Sequence, residues 1–97
     1  MIDDDDLEKG LEYVPEHLRA GLRRWIKFGV VPGHFLCAVL RNDLDGACRH
    51  GDDQSTAALK AIMGFLRRHA PAACHGSPER FQAWLSRHAK LRFARAV

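Results

Sequence analysis

Apolar residues recur along this chain at intervals of three and four, the spacing that predicts amphipathic helices. Four such stripes are present, and their members are Leu18, Leu22, Trp25 and Ile26, then Phe35, Leu36, Val39, Leu40, Leu44 and Ala47, then Ala58, Leu59, Ile62, Met63 and Leu66, and last Phe81, Trp84, Leu85 and His88. No segment alternates with period two over more than a few residues, so strands are not expected. The predicted fold class is all-α, a compact bundle of about four helices in a single domain.

Glycine, proline and short polar residues predict where these helices begin and end. Gly29 and Gly51 suit the ends of the first and second helices, and the Asp52–Asp53 pair suits the start of the third. The fourth helix has the clearest start, because Ser77 can cap it and Pro78 fits its first position.

Asn42 and Asp43 interrupt the second stripe, inside a predicted helix over residues 35–48. Both residue types are intrinsically unfavourable in a helix interior, so something must hold them there. Two interpretations remain open. Either Asn42 caps a break in the helix, or the pair is aimed at a ligand beside Gly33 and His34.

Charge divides the chain into two parts. Residues 1–16 have a net charge of −6, whereas residues 17–97 have a net charge of +9, which leaves the whole chain at +3. Four consecutive aspartates with little apolar periodicity predict an acidic flexible tail over residues 1–13. The helical domain is predicted over residues 14–97.

Length and composition restrict the classes of function. A chain of 97 residues builds one small core, which excludes large catalytic architectures. No apolar run approaches the roughly 20 residues that cross a bilayer, and the acidic start is unlike a secretory signal. Three cysteines in a chain that is 46% hydrophobic predict reduced thiols. We therefore expect a soluble protein of the cytoplasm.

The cysteines and histidines do not predict a metal site or an enzyme. Cys48 with His50 and Cys74 with His75 form close pairs, but neither pair has the spacing of a structural zinc site. No local signature joins a cysteine to a histidine, an orienting group and an oxyanion site. The expectation is no metal, no cofactor and no catalytic residue.

Anion binding is the chemistry that the basic part of the chain favours. Eleven of the fifteen cationic side chains are arginine, whose fork binds phosphate bidentately. Arg19, Arg23 and Arg24 share the first predicted helix, and Arg80 follows the helix start at Ser77, where free N–H groups favour an oxyanion. The competing interpretation is an ordinary solvated basic surface.

Several loop and cap residues form a recognisable order. They are Pro32-Gly33, Phe35-Leu36, Ala38-Val39-Leu40 and Asn42-Asp43-Leu44, followed by Gly76-Ser77-Pro78-Glu79. Over about residues 14–88 the chain resembles a widespread family of short, largely uncharacterised α-helical proteins encoded by tailed bacteriophages. The resemblance implies an accessory role in the host cytoplasm and brings no settled activity. The chain departs from the family at Arg67–Arg68 and at His75, where relatives often have aromatic or amide residues.

These features predict a non-enzymatic phage accessory protein that binds a phosphate-bearing nucleotide and sequesters a host anti-phage signal. The expected phosphate ligands are Arg19, Arg23 and Arg80, with Ser77 at the helix start. Asn42 and Asp43 are expected to bind base or ribose edges. His34 or Trp25 is expected to lie along an aromatic face of the ligand, beside Gly33. The expected partners are a small nucleotide-like ligand and a second copy of the chain, with nucleic acid less favoured and no membrane. The alternative is a protein- or nucleic-acid-interaction module that modulates a host or phage complex.

Overall fold

Helices form the entire regular structure of the described residues. The computed structural model describes the backbone of residues 3–96 and the side chains of residues 3–91. The elements are α1 (Asp4–Leu11), α2 (Glu16–Phe28), α3 (His34–Leu40), α4 (Leu44–His50), α5 (Asp53–Ala57), α6 (Leu59–His69), a 3-10 turn (Ala72–Cys74) and α7 (Pro78–Ala96). The all-α prediction is confirmed, and they pack as one compact globule. The predicted number of about four helices is corrected to seven α-helices within these residues.

The predicted second helix is two helices, because the chain turns at Asn42. Asn42 has a φ of 62°, in the left-handed region that asparagine tolerates better than most residues. Asp43 then begins α4 as its N-cap, and its Oδ1 accepts a 3.0 Å hydrogen bond from the backbone N–H of Gly46. A helix break therefore accounts for the polar pair, with Asp43 rather than Asn42 as the capping residue.

The other predicted helix ends are mostly found in place. Asp52 caps α5, since its Oδ1 accepts from the N–H of Ser55 at 2.7 Å. Ser77 caps α7 in the same way, through a 3.1 Å bond from the N–H of Arg80. Gly29 ends α2 with a φ of 65°, the conformation that glycine adopts without strain. The third predicted helix nevertheless divides at Ala58 into α5 and α6.

The predicted flexible tail is a packed helix over residues 4–11. Asp3 caps α1, and acidic side chains in its first turn complement the positive end of the helix dipole. Leu7, Leu11 and Val14 lie at i, i+4 and i+7, and all three are buried. The run of aspartates concealed this short apolar stripe, whose burial holds α1 against α6.

Trp25 is the centre of the core. Its ring is fully buried and stacks on Phe81 at 4.4 Å between centroids, with 14° between the planes. Its Nε1 donates to the carbonyl oxygen of Cys74 at 3.0 Å, and its own carbonyl accepts from Nε1 of Trp84 at 2.9 Å. Because buried indole N–H groups need acceptors, these bonds fix α2 against the 3-10 turn and α7.

The helices of the described residues include no candidate for a membrane-spanning segment. None of the helices in the described residues combines the length and the apolar character that a bilayer crossing requires.

Two helical glycines provide a test of the α1 packing. A Cβ at Gly10 would lie 2.5 Å from Cγ of His69, so Gly10→Ala should destabilise the protein by about 1–3 kcal/mol through overpacking. A Cβ at Gly64 would meet nothing closer than 3.7 Å, so Gly64→Ala should stabilise it by about 0.5–1 kcal/mol. Chemical denaturation of both variants measures the difference. Stabilisation by both substitutions would show that α1 does not pack on α6.

Candidate anion-binding groove

The nine predicted ligand residues lie in separate parts of the molecule. Trp25 lies in the core, Arg19 contacts the turn that follows α1, and Arg23 contacts Glu8 on α1. Gly33 and His34 line one groove, and Asn42 and Asp43 line a second. Ser77 and Arg80 lie at the start of α7. They do not form one site.

Trp25 cannot lie along a ligand, because no part of its side chain reaches the surface. Its stripe position on α2 places it inward, where it stacks on Phe81. The sequence-based assignment of Trp25 to a ligand face is therefore corrected to a core position.

The guanidinium groups of Arg19 and Arg23 both form hydrogen bonds within the chain. Arg19 donates from Nε to the carbonyl of Val14 at 2.8 Å and from Nη2 to the carbonyl of Glu12 at 3.2 Å. Arg23 forms a bidentate pair with the carboxylate of Glu8, at 2.9 and 2.6 Å. The hydrogen bonds from Arg23 hold the pKa of Glu8 below its ordinary value. A phosphate would have to displace Glu8 to reach this guanidinium.

Gly33 and His34 line a groove of about 440 Å³ between α2, the start of α3 and the end of α4. Its lining residues are His17, Leu18, Ala20, Gly21, Arg24, Gly33, His34, Phe35, Leu36 and His50. Three imidazoles and one guanidinium thus face a common space, and none of its lining residues has a carboxylate. The groove of Lys27, Trp84, Arg87 and His88 also gathers four nitrogen-bearing side chains, but the carboxylate of Asp4 lines it as well.

The three histidines are held in defined positions. The rings of His34 and His50 stack at 5.2 Å between centroids, with 29° between the planes. Nε2 of His17 lies 2.9 Å from Oγ of Ser55, a buried hydroxyl next to the cap of α5. Hydrogen bonds from Ser55 lower the pKa of Asp52, with a smaller contribution from His17, so this carboxylate stays ionised behind the groove.

Arg24 supplies the permanent positive charge of the groove. Its side chain is exposed, and within the described residues it has no hydrogen bond and no ion pair. It lies seven residues after His17 on α2, with Gly21 between them on the same side of the helix. A Cβ at Gly21 would approach Leu36 Cδ1 at 3.1 Å, so glycine permits α2 and α3 to lie close at the groove floor.

The sequence-based ligand set omitted His17 and His50, and Arg24 was considered only as one of the basic residues of the first predicted helix. Their signal was present in part, since His17, Gly21 and Arg24 follow the i, i+4, i+7 spacing of one helix side. His50 could not be found this way, because the break at Asn42 sets the direction of α4.

The remaining predicted residues serve local structure at their own positions. Asn42 and Asp43 border a groove with Lys60 and Arg67, away from the histidines. Ser77 uses its hydroxyl to cap α7, and Nη1 of Arg80 contacts the carbonyl of Ala72 at 3.4 Å.

Across the described residues, no group of three or more His, Cys, Asp or Glu side chains could hold a metal ion. Burial raises the pKa of Cys74 to about 12 and raises that of Cys37 as well, so both thiols stay protonated at neutral pH.

Comparison with known proteins adds no relative. No protein-family model, curated protein or solved structure matches this chain. The resemblance to phage proteins therefore stays a prediction.

The Glu8–Arg23 pair gives a pH-dependent prediction. Because the carboxylate pKa is lowered on folding, the pair stabilises the fold above the ordinary glutamate pKa, and this contribution disappears as the pH falls through the lowered value. Both groups are substantially exposed, so Glu8→Gln should cost less than about 1 kcal/mol at neutral pH and nothing in acid. Glu12→Gln is the control. Equal costs for both variants at neutral pH, in urea denaturation, would contradict the pairing.

Proposed function

We propose that the protein binds a small phosphate-bearing anion in the groove of His17, Arg24, His34 and His50. The observation that supports this is the gathering of one unpaired guanidinium and three imidazoles around a space whose lining has no carboxylate. Guanidinium binds phosphate oxygens bidentately, and an imidazole N–H adds a donor at a different angle. Such a set favours an anion over a neutral or cationic ligand.

A nucleotide suits this groove better than inorganic phosphate alone. A volume of about 440 Å³ exceeds one phosphate group and lies in the range of small-molecule sites. The stacked His34 and His50 rings offer an aromatic surface next to Arg24, and a nucleobase has the planar face to lie on it. The proposed arrangement therefore places phosphate at Arg24 and the base toward the histidine pair.

Binding without catalysis remains the proposed activity. The proposed biological role is sequestration of a host anti-phage signal by a phage protein. This role is based only on the family resemblance. Histidine donors are also compatible with proton transfer. We assign the histidines to binding, because Ser55, the hydroxyl that His17 contacts, is buried and does not reach a ligand as a nucleophile.

Calorimetric titration with pyrophosphate and with a panel of linear and cyclic nucleotides tests the proposal. Arg24→Gln and His34→Gln should each weaken binding by about tenfold or more, because each removes a charged or ring contact to the ligand. Arg80→Gln is the matched control and should leave affinity unchanged. No binding of any probe by the wild-type protein, or equal weakening by Arg80→Gln, would contradict the site.

A substitution at Asp52 should raise the affinity for the anion, whereas the preceding substitutions lower it. Its ionised carboxylate lies behind His17 and opposes an incoming anion, so Asp52→Asn should raise affinity by roughly twofold to fivefold. Asparagine caps helices as well as aspartate, so α5 should persist. Glu79→Gln changes the net charge by the same amount at the start of α7 and should have little effect. Equal gains in both variants would point to net charge rather than to the groove.

A further inference from the structure

Leu44 is the most exposed large apolar side chain in the described residues. It is 68% exposed at the first position of α4, although it belongs to the apolar stripe of the predicted second helix. The turn at Asn42 rotates α4 and carries Leu44 out of the core. A single exposed leucine is ordinary, so the surface around Leu44 determines whether it belongs to an apolar patch.

A shallow apolar groove of about 360 Å³ lies directly beside Leu44, between α4 and α6. Val39 and Ala47 form its buried floor, and the half-buried Leu59 and Met63 form its α6 side. Leu44 thus stands next to a recess lined by the same kind of surface.

The two edges of this groove carry opposite charges. Asp43 lies on the α4 edge. Asp45, which follows Leu44, already pairs with Arg49 on the same helix, so Asp43 is the carboxylate that this edge offers to a partner. Lys60 and Arg67 lie on the α6 edge, seven residues apart. Neither cation has an ion pair within the part of the chain that the structure describes. The surface therefore has an acidic edge, an apolar strip and a basic edge in that order.

We infer that this surface is the interface of a homodimer with twofold symmetry. In such an interface each patch faces its own copy, so residue i meets residue j while j meets i. A twofold axis along the strip places Leu44 of one copy on Leu59 and Met63 of the other. The same operation places the acidic edge of each copy opposite Lys60 and Arg67 of the other, so both edges gain ion pairs.

The second copy is the occupant that this pattern favours. A partner of a different sequence would need to reproduce the same order of acidic, apolar and basic groups, whereas a second copy has it by construction. The groove shares no lining residue with the histidine groove. Dimerisation thus leaves the proposed anion site open, and the two proposals can fail independently.

Sedimentation equilibrium of the full chain at micromolar concentrations tests the interface. The wild-type protein should be a dimer, and Leu44→Asp should be a monomer, because an unpaired carboxylate cannot enter the apolar strip. Aspartate is well suited to the first turn of a helix, so α4 should form, and circular dichroism checks this. Leu91→Asp is the control, since Leu91 is 49% exposed and lines a different groove. It should remain a dimer.

A charge reversal on α6 provides a second test of the proposed dimer interface. Arg67→Glu should weaken dimerisation by about tenfold or more, and wild-type dimerisation should weaken as salt is raised. A wild-type monomer throughout the micromolar range overturns the inference. So does a dimer that Leu44→Asp leaves intact, or a dimer that only Leu91→Asp dissociates. Retention of full dimer affinity by Arg67→Glu also overturns it, because the charged edges would then not face each other.

Discussion

Burial of Trp25 is the constraint on which the arrangement of the helices depends. The Trp25 side chain stacks on Phe81 and donates a hydrogen bond to the Cys74 carbonyl, and the Trp25 backbone carbonyl accepts from Trp84. These contacts join α2 to segments 49 and 59 residues further along the chain. Truncation of the Trp25 side chain would leave both a large cavity and an unpaired carbonyl oxygen at Cys74, and each of these is a strongly destabilising change in a core.

The orientation of α2 that Trp25 fixes also decides which cations are available. Successive helical residues are rotated by about 100°, so an inward Trp25 places Arg23 and Arg24 on different sides of the helix. Arg23 meets Glu8 on α1, whereas Arg24 faces the groove with the histidines. Glu8 on α1 thus pairs with one basic side of α2, whereas Arg24 on the other side has no ion pair within the described residues. Whole-chain charge alone could not separate these two sides.

Local signals predicted the helix faces and several caps, but long-range packing determined the rest. Ser77, Asp52 and Gly29 act through hydrogen bonds or dihedral angles within a few residues, so their roles follow from neighbouring sequence. The burial of Leu7 depends on α6 and was hidden by the aspartates around it. The groove needed both the bend at Asn42 and the approach of α2 to α3, which no local pattern encodes. The apolar periodicity placed Trp25 correctly on the buried side of its helix, whereas no local pattern supported its assignment to a ligand.

Amide chemical-shift mapping during titration with pyrophosphate or a nucleotide tests the location of the anion site directly. Resonances of Gly21, Arg24, Gly33, His34 and His50 should shift together and saturate with a single affinity, while those at the start of α7 should stay in place. Shifts confined to residues 76–80, or a uniform weak drift across every basic surface, would contradict it. The first outcome would move the site to the helix start, and the second would leave only a solvated basic face.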